Sequence, residues 1–370
     1  MSQLFSPYTL RDIELTNRIV ISPMCQYSAV EGSASDWHTI HLGHLALSGA
    51  GLLMIEATAV EARGRITPGC LGLYSDENET ALARVLNIVR QHASTVIGMQ
   101  LSHAGRKGSS HVPWAGGALI ALNDGGWTPI APSATRYSAA EPVPAAMNEH
   151  DIGSVRDAFA AAARRAERIG IEALEIHGAH GYLLHEFLSP LSNERTDHYG
   201  GSLANRMRYP LEVFDAVRAA WPAGKPLGVR VSGTDWVDGG WDIESTITFA
   251  RELKARGCDW IDCSSGGTSP EQKIPLGPGY QVPFAAAVRR ETGIATIAVG
   301  LITEAIQAEE IIASGKADLV ALARGMLYNP RWPWHAAAEL GGQIKPPKQY
   351  GRSAPRAQPA LFRGTTNIQR

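Results

Sequence analysis

The chain is short of cysteine, of net charge and of long apolar runs, and each shortage removes a class of function. Four cysteines, Cys25, Cys70, Cys258 and Cys263, are too few and too scattered for a disulfide framework or an iron–sulfur loop. Lysine plus arginine number 34 and aspartate plus glutamate 36, for a formal net charge of -2. No basic surface therefore points to nucleic acid or to an anionic membrane as partner. A run of about eighteen apolar residues, the length that spans a bilayer, is missing. The opening MSQLFSPYTLRDIEL has neither an apolar signal core nor a basic leader, so a cytoplasmic protein is expected. There is also no GxGxxG after a strand, the fingerprint of an open dinucleotide-binding sheet.

What is present is a repeat. At 370 residues and 44 % hydrophobic, the chain can bury a large core. From Arg18 onward a short apolar run, a loop and a helical stretch succeed one another. The strand-like runs are RIVISPM from Arg18, GLLMIEAT from Gly51, VIGMQLSH from Val96 and IEALEIHG from Ile171. LGVRVSG follows from Leu227, WIDCSS from Trp260, TIAVG from Thr296 and LVALAR from Leu319, which makes eight. Helical periodicity falls between them at 38–48, 77–92, 151–169, 204–221, 243–256, 282–291, 303–314 and 329–340. Nearly continuous apolar strands alternating with helices imply a parallel sheet covered by helices. Eight such units favour a closed α/β fold, the (β/α)8 barrel, over an open sheet. One domain over 1–345 is expected, with an N-terminal hairpin and a lid-like excursion over 105–141 across the barrel mouth. The proline-bearing tail, 346–370, reads as no core element and as a segment for an oligomer interface.

In such barrels the chemistry lies at the C-terminal ends of the strands. Those ends read Pro23-Met24-Cys25-Gln26-Tyr27, Glu56-Ala57-Thr58, Gln100, His177/His180/Tyr182, Arg230, Ser264-Ser265-Gly266, Gly300 and Arg324. No pair of carboxylates stands out among them, which argues against glycoside hydrolysis. The organising stretch is HGAHGYLLHEFLSPLSNERTDHYGGSLANR, 177–206, where two histidines and a tyrosine follow a strand. Two histidines serve as donors to a carbonyl oxygen, with the Tyr182 phenol as proton donor; the rival is a metal pair, which would want further carboxylate or histidine ligands. Arg230, inside an apolar strand, needs an anion or a strong acceptor. A flavin's pyrimidine edge would serve, and so would an ion pair internal to the barrel. Gly300 and Arg324 stand where barrels commonly grip a phosphate. Cys25 either tunes an electron-carrying ring or fills space. The histidines of DWHTIHLGH (His38, His41, His44) read as structural, and Cys70, Cys258 and Cys263 as packing residues.

Several long motifs in one order carry a family resemblance: LFSPYTLRDIELTNRIVISPMCQYS, IEATAVEARGRITPG, GMQLSHAGRKG, the 177–206 stretch, DCSSGG and AVGLIT. The chain resembles the old yellow enzymes, FMN-dependent ene-reductases, and within them the thermophilic-like or xenobiotic-reductase-like subgroup. The resemblance implies an NADPH dehydrogenase holding FMN through Pro23, Met24, Cys25, Ala57, Gln100, Arg230, Gly300, Ala323 and Arg324. By the same resemblance Cys25 modulates the flavin, and Gln100 bonds its polar edge. His177 and His180 hold a substrate carbonyl, Tyr182 protonates the α-carbon and Tyr27 lines the pocket. NADPH or NADH is the implied reductant and an enone or enal the implied substrate, with no metal. Family members pair as dimers or higher oligomers with a C-terminal arginine reaching the neighbouring site; Arg352 in QYGR matches it. A metal-dependent barrel hydrolase and a flavin-storing protein are the rival functions.

Overall fold

The computed structural model describes residues 2–364. Two short strands, β1 (Tyr8–Leu10) and β2 (Ile13–Leu15), form an antiparallel hairpin at the start of the chain. Then come β3 (Ile19–Ile21), β4 (Leu52–Ala59) and β5 (Val96–Ser102). β6 (Ile130–Ala131) and β7 (Ala145–Ala146) pair only with each other. β8 (Ala173–Gly178), β9 (Leu227–Ser232), β10 (Trp260–Ser264), β11 (Ala295–Ala298) and β12 (Leu319–Leu322) complete the set. β3, β4, β5 and β8 to β12 close into one parallel barrel, with β12 hydrogen-bonded to β3. These are the eight runs read from the sequence, in the same order.

The covering helices are α1 (Asp36–Ala46), α2 (Asp76–Arg90), α3 (Glu149–Arg168), α4 (Leu183–Leu188) and α5 (Leu203–Ala220). α6 (Ile243–Ala255), α7 (Val282–Thr292), α8 (Ala305–Ala313), α9 (Arg324–Tyr328) and α10 (Trp332–Leu340) follow. α4 and α9 went unseen in the sequence because five or six residues are too few to show a 3.6-residue period. α3 begins ahead of the expected Asp151. Asn148 is its cap, accepting from the Asp151 amide at 2.9 Å, and Asp151 returns the bond to the Asn148 amide at 3.2 Å.

The strands alternate between two apolar layers, as a period of two requires. Ile19, Ile21, Leu53, Ile55, Ile97 and Met99 face the helices. Val20, Leu52, Met54, Ala173, Trp260 and Leu319 fill the barrel interior together with Leu10 and Leu15 of the hairpin, which stoppers the N-terminal end. Trp260 is fully buried there, and a side chain on Gly228 would stand 2.0 Å from its indole. Further along, the same inward parity is polar: Gln100 and Ser102, Glu175 and His177, Arg230 and Ser232, Asp262 and Ser264.

The 105–141 segment lies between β5 and α3 and helps to wall a cavity of about 180 Å³ at the barrel mouth. Its Lys107, His111, Tyr137 and Glu141 line that space together with Tyr27 and Tyr182. The tail departs from expectation. It returns to its own chain, with the Ile344 amide bonded to Leu361 O at 2.9 Å and the Arg363 amide to Ile344 O at 2.8 Å. Leu361 and Phe362 are buried in the main core, so packing does not stop at 345. Their apolar character was masked in the sequence by the surrounding prolines and arginines. The end of the expected tail, 365–370, lies outside the described residues.

Candidate active site

The site is built at the end of β8, where the chain turns sharply. His180 takes a left-handed conformation (φ 61) and Gly181 another (φ 69). A Cβ at Gly181 would meet Gly267 O at 2.1 Å, so the turn requires glycine there. It sets the His177 ring edge-on to two neighbours, with centroids 5.0 Å from His180 and 5.0 Å from Tyr182.

The protons can be placed. The Ala179 amide donates to His177 Nδ1 at 3.2 Å, which leaves the hydrogen of a neutral His177 on Nε2. That Nε2 stands 3.3 Å from His180 Nδ1, and His180 Nε2 is 2.6 Å from Ser264 Oγ. Burial, reinforced by Arg230, drives both imidazoles well below their ordinary range, so both are neutral at pH 7. Burial pushes the Tyr182 phenol well above its ordinary range, so it keeps its proton. Two neutral imidazoles and one phenol thus converge on one wall of the mouth.

The turn rests on a buried pair. His185 Nε2 lies 3.0 Å from Asp235 Oδ1, with both side chains fully buried. His185 Nδ1 accepts the Gly181 amide at 2.9 Å. Burial opposes ionisation of Asp235, but His185, Ser189 and the Trp241 amide together hold it down to about 2.

The residues expected to hold FMN ring the same mouth. Pro23, Met24 and Cys25 follow β3 directly. Ala57 sits beside Gln100 where β4 bulges. The bulge releases Glu56 to accept the Gln26 amide at 3.0 Å and to lie 3.4 Å from His38 Nε2, so His38 braces this loop from α1. Gln100 Nε2 donates to Glu175 Oε1 at 2.8 Å, and Trp260 Nε1 donates to Glu175 Oε2 at 3.1 Å. Arg230 is nine-tenths buried and ion-paired with Asp262 at 3.2 Å, the internal pair that was one of its two readings. That contact runs through Nε, which faces the carboxylate without hydrogen-bond geometry, so a polar ligand edge would meet the rest of the guanidinium. Gly300 (φ 122) carries no side chain against Gln281, and Ala323 and Arg324 open α9 with Arg324 exposed. Burial raises the Cys25 thiol, so it stands as a thiol and not as a thiolate. This donor set fits FMN: a buried cation for the ring, and an open glycine and a free arginine for the phosphate.

Not every expected residue joins the cluster. Arg352 is exposed on the tail, where Tyr350 packs against Trp334 and Arg331, and its own chain does not bring it to the mouth. Three residues that do join were missed: Lys107, Glu175 and Asp262. The last two share inward parity with His177 and Ser264, a period-two signal visible in EIH and DCS. Lys107 sits in a turn after β5 and offered no periodic signal.

Comparison with known proteins agrees with this geometry. A family model described as the NADH:flavin oxidoreductase / NADH oxidase family matches residues 3–342. An NADPH dehydrogenase of a Geobacillus species is 47 % identical over 353 residues, 95 % of this chain and 98 % of its own. One from Geobacillus thermodenitrificans is 46 % identical over 351 residues, 94 % of this chain and 98 % of its own. Among solved structures, morphinone reductase superposes with a TM-score of 0.77 at 26 % identity, covering 93 % of this chain and 91 % of that one. Its complex with tetrahydroNAD gives 0.75 at 27 %, covering 93 % and 92 %. Among the described residues no helix is long and apolar enough to cross a membrane. With its barrel, its mouth and these relatives, the chain belongs to the NADH:flavin oxidoreductase / NADH oxidase family, the old yellow enzymes, and is an FMN-dependent NADPH oxidoreductase.

Proposed function

We propose that the enzyme reduces the activated C=C bond of α,β-unsaturated carbonyl compounds. Pro23, Met24, Cys25, Ala57, Gln100, Arg230, Gly300, Ala323 and Arg324 would hold FMN, which when bound would supply a hydride drawn from NADPH or NADH. The protein's own work is to hold an oxygen and deliver a proton. His177 Nε2–H and His180 Nδ1–H donate to the substrate carbonyl and stabilise the negative charge that develops on it. For His180 to donate through Nδ1, its Nε2 accepts from the Ser264 hydroxyl 2.6 Å away. Tyr182 gives its proton to the α-carbon, a role worth roughly 10²–10⁴ in rate. Tyr27 lines the same cavity, and the 105–141 segment covers it as a lid. Cys25 tunes the flavin from the end of β3. Nicotinamide and substrate use this one cavity in turn, a ping-pong order consistent with the absence of a dinucleotide fingerprint.

The observation that carries this reading is the trio itself, two neutral imidazoles and an un-ionised phenol, with the His180 and Tyr182 ring centroids each 5.0 Å from that of His177. In the test, NADPH added without oxygen bleaches the flavin band and cyclohexenone restores it. Tyr182→Phe still bleaches with NADPH but returns its colour some 10²–10⁴-fold more slowly. Unchanged enone turnover in Tyr182→Phe would end the acid assignment.

The 1–345 barrel is proposed as the FMN-binding unit, working in the cytoplasm as a homodimer or homotetramer. Trp37 and Ile40 of α1 and Leu327, Tyr328 and Tyr350 are exposed apolar side chains. Arg331 joins the regions that carry several of them, bonding His44 O at 3.3 Å and lying over the Tyr350 ring. Pairing through this face would carry Arg352 to a neighbour's mouth. Light scattering of the holoenzyme reads the assembly, and a monomer at micromolar concentration would refute it.

A further inference from the structure

We propose that Lys107 is a positioning residue for the proton donor, a cation at the root of the lid that ties the Tyr182 turn to the opposite barrel loop and to the lid's far end at Tyr137. Its Nζ donates to His180 O at 2.9 Å and to Gly267 O at 3.0 Å. Both carbonyls belong to left-handed residues, His180 at φ 61 and Gly267 at φ 99. Glycine adopts this backbone freely, but a histidine there persists only where its surroundings over-determine it. The same ammonium lies 5.2 Å from the Tyr182 ring centroid and 4.8 Å from that of Tyr137. Beside it, Arg106 binds the lid's Thr135 and Arg136 carbonyls at 3.1 Å and 3.2 Å and Thr268 O at 2.6 Å. One lysine at the lid's root thus touches the carbonyl-binding turn, the acid, the β10 loop and the lid's Tyr137.

The inference rests on the enone reading of this site and concerns a residue that reading does not use. The charge matters for chemistry as well as for shape. A cation facing the phenol ring favours the phenolate that Tyr182 becomes once its proton is given up. The groups facing Lys107 are Arg106 on its own turn, Glu186 on α4, Tyr137 and Glu141 on the lid, and His177, His180 and Tyr182 around the β8 turn. Burial lowers Lys107 to about 8 against the pull of Glu186, so the cation is present below that pH and lost above it. Burial also raises Glu186 to about 8, so two groups change charge together and variants must separate them.

The experiment follows the pH dependence of flavin reoxidation by cyclohexenone in the reduced holoenzyme. Alongside it runs NMR of ring-labelled tyrosine in the same holoenzyme, with the Tyr182 signal assigned through Tyr182→Phe. In the wild type the reoxidation rate falls as pH rises through about 8, and the Tyr182 signal moves with that midpoint. Lys107→Met lowers the rate about 10-fold and abolishes both the limb and the movement. Lys107→Arg, which stays charged, restores the rate and carries it flat past pH 9. Glu186→Gln leaves the limb in place. A limb that vanishes in Glu186→Gln but survives in Lys107→Met overturns the inference. So does a Lys107→Met in which both half-reactions fall together and Arg rescues neither. If the Tyr182 signal titrates as expected while cyclohexenone is never reduced, the lysine stands and the enone reading falls.

Discussion

Asp235→Asn probes the support beneath the turn that carries His177, His180 and Tyr182. The carboxyl is fully buried against His185 and is held down to about 2 from an ordinary value of 3.8. At roughly 1.4 kcal/mol per tenfold, this corresponds to about 2 kcal/mol of stability at neutral pH. The amide adds a second fault. His185 Nδ1 accepts the Gly181 amide at 2.9 Å, so in the neutral ring Nε2 carries the hydrogen and faces position 235. An Asn whose oxygen keeps the Trp241 and Ser189 bonds must turn its NH2 toward that N–H. Either the two donors clash or the imidazole changes tautomer and drops Gly181, one residue before Tyr182. Unfolding entropy of roughly 2.1 cal/mol/K per residue makes each kcal/mol about 1.3 °C in a chain of this size. The holoenzyme's Tm should therefore fall by about 3 °C at pH 7, with enone reoxidation slowed more than reduction by NADPH. The pH course has a definite sign. A depressed carboxylate contributes above its unfolded pKa and loses that contribution as pH falls toward its folded one. The Tm gap should hold from pH 7 to about 4 and close between about 4 and 2. No gap at pH 7, or a gap that widens on acidification, would refute the role given to this pair.

Glu175→Gln has the opposite sign: burial, with Asp262 beside it, raises this carboxyl from 4.5 to about 7. The wild type loses that contribution as pH rises through about 7, so the variant's Tm should gain on the wild type between pH 5 and 8; a relative loss would be the contrary result. Gly228→Ala would put a methyl 2.0 Å from the buried Trp260 indole, whose Nε1 is already bonded to Glu175. Urea denaturation should show a loss of about 3 kcal/mol, partly restored by Trp260→Phe, and wild-type stability would mean the interior yields more than its packing suggests.

Much of this architecture could be read from residue order because the barrel depends on local pattern. Each strand is a short apolar run between a loop and a helix, and eight of them close in one way. The short helices α4 and α9 and the return of Leu361 and Phe362 to the core could not be read, since neither produces a period. At the site, His177, His180 and Tyr182 were legible because they crowd one strand end. Asp235 was not, because its partner His185 is fifty residues away and meets it only in the fold. Lys107 was passed over for a different reason. A lysine in a glycine-flanked turn reads as solvated, and only the fold brings His180 O, Gly267 O and two tyrosine rings around it.

Arg230 shows why a residue's two readings need not compete. Its ion pair with Asp262, at 3.2 Å, looks at first like a complete explanation of a buried guanidinium. The carboxyls below it say otherwise. Burial raises Asp262 despite Arg230's pull, and Glu175 is raised to about 7. Glu175 is thus divided between its two forms near pH 7, while desolvation works against the Asp262 carboxylate that Arg230 stabilises. Burial first, and the same arginine second, hold His177 and His180 down, which keeps both imidazoles neutral. One guanidinium thus bears on two carboxyls beneath it and two imidazoles above it, and would face the anionic ring edge proposed for the mouth. A sequence shows the arginine, but the division of its charge among four neighbours exists only in the closed barrel.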